Sequence, residues 1–278
     1  MRFANIAGRA SLITASGAVD VARTSELRFP AQPELLYEMW SDFREWAQTV
    51  DSSNGEAYQA KDLGAPSPRP SQVFALALNY APHAAEGGFS PPTEPLVFTK
   101  FPSCITGPET EVTIPGLTLD WEIELVVVIG KFARNVKAAD AWHYVAGLTA
   151  GQDLSERSVQ YSGTPPQFSL AKSFRGFGPT GPMLCTPDEF VSPDDLALSS
   201  QLNGVTVQSS RTSAMIFSIP TQIEKISAIC DLRPGDLIFT GTPEGVGHRH
   251  DPPRYLQVGD VLTSSIETIG ELRQTFRR

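Results

Sequence analysis

The sequence predicts a β-rich α+β fold, with a small N-terminal α+β domain over residues 1–65 and a larger domain over residues 66–278. Three observations predict it. In residues 119–130 the acids Asp120, Glu122 and Glu124 alternate with Trp121, Ile123 and Leu125 before an apolar run to Ile129. A strand sends such alternate side chains to opposite faces. Glycine (22) and proline (23) stand somewhat above their usual shares, as a turn-rich β protein requires. Helical periodicity is confined to short segments. A chain of 278 residues is long enough to bury a large core.

In chain order, residues 1–25 alternate loosely (Leu12, Ile13, Val19, Val21) around Gly8 and Gly17, which predicts short strands joined by a hairpin turn. Residues 33–50 read as an amphipathic helix that covers a sheet. Leu36, Met39, Trp40, Phe43 and Trp46 recur near every 3.6 residues, and Pro33 suits the first turn. Residues 51–70, polar and then rich in proline, read as a linker. Residues 72–78 form a short apolar strand. In the Tyr80-Ala81-Pro82-His83-Ala84-Ala85-Glu86 segment that follows, His83 and Glu86 sit three apart. One helical turn puts them on one face, as a functional pair or as an incidental surface ion pair. Residues 96–100 read as a strand that ends on Lys100.

After the acid-rich strand, residues 138–145 read as a short helix. Residues 148–153 return as a strand that delivers Asp153, and the spacing puts Asp153, Arg157 and Gln160 on one side of a helical turn. A loop at 161–169 precedes Lys172. Gly176-Phe177-Gly178-Pro179-Thr180-Gly181 matches the G-x-G-x-x-G pattern, but Pro179 and Pro182 leave no helix to open, which excludes the dinucleotide reading. Asn203-Gly204 marks a hairpin turn. Thr221 and Glu224 form a capping-box pattern for a helix through Ile226 and Ile229. Residues 232–238 and 256–262 each read as a turn feeding a strand. Between them, the glycine-dense stretch 240–247 reads either as a nest of amides for a carboxylate or as an ordinary loop. His248 and His250 fall in a segment that reads as solvated rather than as a zinc pair.

The net charge of −9 argues against nucleic acid as a partner. Cys104, Cys185 and Cys230 are odd in number and far apart, which fits free thiols in a reducing compartment rather than a disulfide framework. No apolar run approaches the ~20 residues of a membrane span, and residues 1–10 lack a signal-peptide core. The expectation is a cytoplasmic protein with no membrane partner. No nucleophile elbow, P-loop or H-E-x-x-H motif occurs.

Glu122 and Glu124 side by side at the mouth of an apolar strand repel each other and call for a cation. If the two strands pair, Asp153 joins them. An all-carboxylate set selects Mg²⁺ or Mn²⁺ over zinc or copper. Lys100, Arg157 and Lys172 are available to balance the remaining charge. The other reading is three separate solvated strand ends.

These segments, in order, resemble the fumarylacetoacetate hydrolase family. The resemblance is carried by Asn79-Tyr80 with His83 and Glu86, Glu122-Ile123-Glu124-Leu125, Asp153-Leu154-Ser155-Glu156-Arg157 and Ala171-Lys172-Ser173-Phe174. Gly181-Pro182, Asn203-Gly204, Pro234-Gly235-Asp236 and Thr240-Gly241-Thr242-Pro243-x-Gly245-Val246-Gly247 continue it, from about residue 70 onward. It implies a mixed β-sandwich roll, a homodimer and one Mg²⁺ or Mn²⁺ ion held by Glu122, Glu124 and Asp153. It also implies catalytic roles for His83 and Glu86 as an acid–base dyad on a lid, and for Lys172 beside the metal. Tyr80, Lys100, Arg157, Gln160 and Thr242 match substrate-binding positions. A fourth acidic ligand found in some members has no match, and Asp120 then supports the site rather than ligating. The implied activity is hydrolysis of a C–C bond in a diketo acid, an acylpyruvate or fumarylacetoacetate-like compound from aromatic catabolism. The alternatives are an oxaloacetate-type decarboxylase or a 2-hydroxyhepta-2,4-diene-1,7-dioate-type isomerase or hydratase. Outside enzymes, the alternative is a non-catalytic small-molecule binding protein on this scaffold.

Overall fold

A computed structural model describes all residues from 1 to 278. Its main sheet runs, from one edge to the other, through Gly17–Asp20, Arg9–Thr14, Arg2–Ile6, Gly178–Cys185, Val145–Gln152, Ile123–Ile129, Leu237–Phe239, Val73–Ala77 and Leu96–Thr99. Most neighbours are antiparallel; Leu237–Phe239 and Val73–Ala77 are parallel. A second sheet of five strands orders as Val205–Arg211, Ala197–Leu202, Val261–Ile266, Gly270–Arg277 and Glu109–Thr113.

The two faces of the acid-rich strand explain the layering. Ile123, Leu125, Val127 and Ile129 pack with Leu198, Ile266 and Leu272 of the second sheet and with Ile219, Ile223 and Ile226 of a helix. Val126 and Val128, on the opposite face, pack with Phe3, Trp40, Phe43 and Phe239. Burial on both faces accounts for the unbroken apolar run. A third core gathers Leu119, Trp121, Leu154, Phe177 and Phe276. The N-terminal strands extend the main sheet: Arg2 pairs with Cys185 and Phe3 with Leu184.

Several elements depart from the sequence expectation. Residues 33–50 are not one helix. Pro33–Leu36 is followed by a 3₁₀ turn at Tyr37–Met39 and a helix at Trp40–Ala47. Met39 leaves helical geometry (φ −116°, ψ 19°), and the break lets Tyr37 and Trp40 stack at 5.1 Å. Residues 51–70 contain two 3₁₀ turns, and Leu63–Gly64 pairs with the first strand. Ala138–Tyr144 is 3₁₀ rather than α. The later helix starts one turn earlier than predicted, at Ile219–Ser227, because Ser218 caps it by accepting the Thr221 amide. Glu224 instead accepts the Ala138 amide at 3.2 Å, and Ile229 lies beyond the helix, 88% exposed.

The turn predictions fare better. Asn203 and Gly204 both have positive φ (53° and 80°), as a tight hairpin needs. The two related turns use one device: Asp236 accepts the Arg233 amide at 2.9 Å, and Asp260 the Gln257 amide at 2.8 Å. The G-x-G-x-x-G match ends inside the strand Gly178–Cys185, with no helix after it.

Candidate active site

Strand pairing assembles the acids. Ile123 faces Gln152 and Glu124 faces Gly151 in antiparallel register, and the Asp153 amide donates to the Glu122 carbonyl at 2.9 Å. Asp153 therefore arrives beside Glu122 as its strand ends. One carboxylate oxygen from each of Glu122, Glu124 and Asp153 lies within 4.8 Å of the others, and all three residues are buried.

Three cations surround the acids. The Lys172 ammonium donates to Glu122 Oε2 at 2.8 Å, Asp153 Oδ2 at 2.7 Å and Ser155 Oγ at 2.8 Å. Lys100 donates to Asp153 Oδ1 at 2.6 Å, and to the carbonyls of Phe177 (3.1 Å) and Lys172. Arg157 donates from Nη2 to Glu122 Oε1 at 2.6 Å, from Nε to Asp120 Oδ2 at 2.8 Å and from Nη1 to Gln160 Oε1 at 2.8 Å. Asp153 and Arg157 do not share one helical turn: Ser155–Glu156 pairs with Leu119–Asp120, and the helix is only Arg157–Gln160.

Glu122 and Glu124 are two residues apart and electrostatically opposite. Burial pushes Glu122 up, but Lys172 and Arg157 outweigh it and bring the carboxyl down to about 2. Glu124 has no ion-pair partner and accepts only the Gly241 amide, at 2.8 Å. Burial, then the charges of Asp153 and Glu122, push it well above the ordinary carboxylate range. With Asp120 included, four buried carboxylates face three cations. A buried carboxylate lacking a counter-charge beside two others is the electrostatic signature that a divalent cation resolves. The all-oxygen donors of Glu122, Glu124 and Asp153 fit Mg²⁺ or Mn²⁺.

The glycine loop is a carboxylate nest for the protein's own acids. Gly241 donates to Glu124, Gly245 to Glu86 Oε1 at 3.1 Å, and Gly247 and His248 to Asp120 at 2.7 Å and 3.0 Å. Gly241 has φ +97°, and a Cβ there would come within 2.7 Å of the Asn79 Cβ, so only glycine brings this amide to Glu124. Asp120, anchored by these amides and Arg157, holds the loop and the arginine together.

His83 and Glu86 lie on the helix Ala81–Glu86, with His83 Nδ1 3.1 Å from Glu86 Oε2. Burial raises Glu86, but the His83 hydrogen bond and the Gly245 amide together hold it below its ordinary value. It stays ionised, an acceptor that orients the ring. His83 lines a cavity of about 330 Å³ together with Glu122, Lys172, Arg157, Gln160 and Thr242.

Two residues expected to touch substrate do not line that cavity. Lys100 is 1% exposed and holds Asp153 and two carbonyls. Tyr80 is fully buried, its hydroxyl without a partner, and burial with the nearby Glu124 and Glu244 charges keeps it protonated. Thr242 does line the cavity, while its hydroxyl donates to the Ile123 carbonyl at 2.8 Å. His248 belongs to a segment whose sequence reads as solvated. It lines the cavity instead, stacked on Tyr161 at 5.2 Å with Nδ1 2.9 Å from the Tyr255 hydroxyl. Its neighbour Arg249 and the apolar Phe89, Leu96, Phe98 and Phe168 complete the wall. Phe89, Phe168, His248 and Arg249 fall in the stretches 87–95, 161–169 and 243–255, which the sequence marks as loops that shape the pocket without fixing which residues face it.

Residues 72–277 match the family model described as fumarylacetoacetate (FAA) hydrolase C-terminal. The chain belongs to the fumarylacetoacetate hydrolase family. Oxaloacetate tautomerase FAHD2A, mitochondrial, from Bos taurus is 41% identical over 208 residues. That match covers 74% of this chain and 66% of the relative, so the chain spans just under two thirds of that curated relative's length. Among solved structures, a protein of Mycobacterium smegmatis provisionally named HpcE superposes with a TM-score of 0.96 at 50% identity, covering 99% of both chains. Fumarylpyruvate hydrolase from Pseudomonas aeruginosa, solved with Mn²⁺ and pyruvate, has a TM-score of 0.68 at 31% identity over 74% of this chain and 89% of its own. Family membership and the 0.96 superposition agree with the β-rich roll expected from the sequence. No helix is long and apolar enough to cross a membrane.

Proposed function

We propose that the protein is a Mg²⁺- or Mn²⁺-dependent hydrolase that cleaves a C–C bond in an acylpyruvate-type diketo acid. The observation that carries this reading is His83, backed by Glu86, on the wall of the same cavity as Glu122 and Lys172. A water-activating base, a carboxylate cation site and an ammonium then face one substrate.

Glu122, Glu124 and Asp153 would hold the ion. When bound, a divalent cation supplies Lewis acidity toward the oxygens of a 2-oxo acid. His83 takes a proton from water through the nitrogen not facing Glu86, and Glu86 stabilises the resulting imidazolium. The water oxygen attacks the carbonyl distal to the pyruvoyl group. The C–C bond breaks toward the pyruvoyl carbon, and His83 returns the proton there. Lys172 adds positive charge where the enolate oxygen develops. Arg157, besides pinning Glu122 and Asp120, presents Gln160 to the cavity.

A second reading, oxaloacetate tautomerisation, is favoured by the 41% identity to FAHD2A. It uses the same enolate and proton carrier without water attack. Purified protein with Mn²⁺ or Mg²⁺, given acylpyruvates with product identification by mass spectrometry and enol-oxaloacetate with its enol absorbance followed in the ultraviolet, separates the two. Equimolar pyruvate and carboxylic acid supports hydrolysis. Accelerated enol-to-keto conversion without pyruvate replaces it with tautomerisation, and carbon dioxide release with decarboxylation. No turnover of any of them overturns the enzymatic reading in favour of a binding role. A cytoplasmic homodimer acting in the catabolism of aromatic or related compounds belongs to the same proposal.

A further inference from the structure

Arg249 is the one arginine or lysine on the cavity wall without an ion-pair partner. Arg157 is paired to Asp120 and Glu122, and Lys172 to Glu122 and Asp153. Arg249 makes no side-chain hydrogen bond or ion pair within the chain, although it is half-buried. A 3₁₀ turn, Gly247–Arg249, projects from the glycine loop, whose amides at Gly247 and His248 are tied to Asp120. The backbone that presents Arg249 is therefore anchored to the same acid that anchors Arg157.

Phe89, Leu96, Phe98 and Phe168 belong to the wall of this cavity, with Phe98 and Phe168 packed at a ring separation of 5.5 Å. Phe89 and Leu96 are 53% and 48% exposed, so this apolar wall reaches the mouth. The cavity thus has a polar end at the carboxylates and Lys172, an apolar flank, and a free guanidinium. A four-carbon diacid leaves the apolar flank uncovered. A planar, five-donor guanidinium is suited to a carboxylate.

We infer that Arg249 binds the distal carboxylate of an elongated dicarboxylic 2-oxo acid whose carbon chain lies along Phe98 and Phe168. This inference rests on reading the site as one for 2-oxo acids. It makes Arg249 a specificity-determining residue, with no part in the bond-breaking step. Charge on the substrate's far end, rather than chain length alone, sets the preference.

Calorimetric binding to the Mn²⁺-loaded protein tests this without requiring turnover. The probes are 2-oxoadipate and 2-oxohexanoate, which share the 2-oxo acid head and chain length and differ in the distal carboxylate. The wild type should favour 2-oxoadipate by about tenfold or more, the scale of a charge-assisted hydrogen bond. Arg249→Gln should remove that preference while leaving 2-oxohexanoate affinity unchanged, and Arg249→Lys should restore part of it. Equal affinity for the two acids in the wild type, or a preference that survives Arg249→Gln, overturns the assignment. Failure of both acids to bind overturns the 2-oxo acid reading and the inference with it. Retained selectivity with no acylpyruvate hydrolysis leaves the Arg249 assignment standing and overturns only the hydrolase reading.

Discussion

Glu122, just before the strand Ile123–Ile129, and Glu124, two residues on and within it, have opposite electrostatic surroundings: Lys172 and Arg157 grip the first, while the second meets only the Gly241 amide. The pair divides the labour of the site. Glu122 is already neutralised by protein cations, and Glu124 is the carboxylate that demands an external one.

Lys172 is tied to two of the three acids, so its removal has separable effects on chemistry and metal binding. Lys172→Met should lower kcat by about 100-fold, the usual scale for losing a charge aimed at a developing oxyanion. Mn²⁺ affinity should stay level or rise, because a competing positive charge is gone. Steady-state kinetics and a metal titration check the two halves. A variant that loses Mn²⁺ but keeps its rate when saturated would contradict the role given to Lys172.

Glu86 contributes a pH dependence of its own. Its folded pKa is depressed, so it contributes stability above its unfolded value near 4.5, and this is lost as pH falls through the lower folded value. Glu86→Gln should therefore lower stability modestly at neutral pH, and the two profiles should converge below about pH 4, so that the variant falls less steeply on the acid limb. The same variant should lose about 10- to 100-fold in kcat, since His83 would lack its anionic partner. Melting curves across pH, measured beside kinetics at neutral pH, check both.

Asp120 is fully buried and accepts from Arg157, Gly247 and His248. Asp120→Ala leaves a buried guanidinium half-paired and the amides of Trp121, Gly247 and His248 without that acceptor. The expected loss is about 3–5 kcal/mol in denaturant unfolding, the cost of breaking a buried pair from one side. A loss below about 1 kcal/mol, the surface ion-pair range, would mean that Asp120 does not anchor the loop.

Much of the site was legible because it is local. Period-two alternation displayed Glu122 and Glu124, the partner strand delivered Asp153 at its end, and a spacing of three joined His83 to Glu86. Lys100, Arg157 and Lys172 were legible as counter-charges, but which acid each grips, and which loop amides orient the acids, were not, because those pairings cross long stretches of chain. Lys100 reaches Asp153 across 53 positions, and Gly247 reaches Asp120 across 127. Lys100 reads both as a counter-charge and as a substrate contact, and in the fold it is buried against Asp153. His248 and Arg249 read as solvated because charge and proline surround them in sequence, while in the fold the loop turns back over the cavity. The long helix at 33–50 failed for a packing reason: aromatic stacking of Tyr37 on Trp40 was preferred over continuous helical dihedrals at Met39.

Glu124→Gln tests the central claim most directly, because no protein cation depends on Glu124 and the amide can still accept from Gly241. Mn²⁺ titrated calorimetrically into metal-stripped protein should bind the wild type at one ion per chain. The Glu124→Gln variant, folded and melting no lower than the metal-free wild type, should show no saturable binding over the same range. Equal Mn²⁺ affinity in the two proteins would contradict a metal site built on Glu122, Glu124 and Asp153.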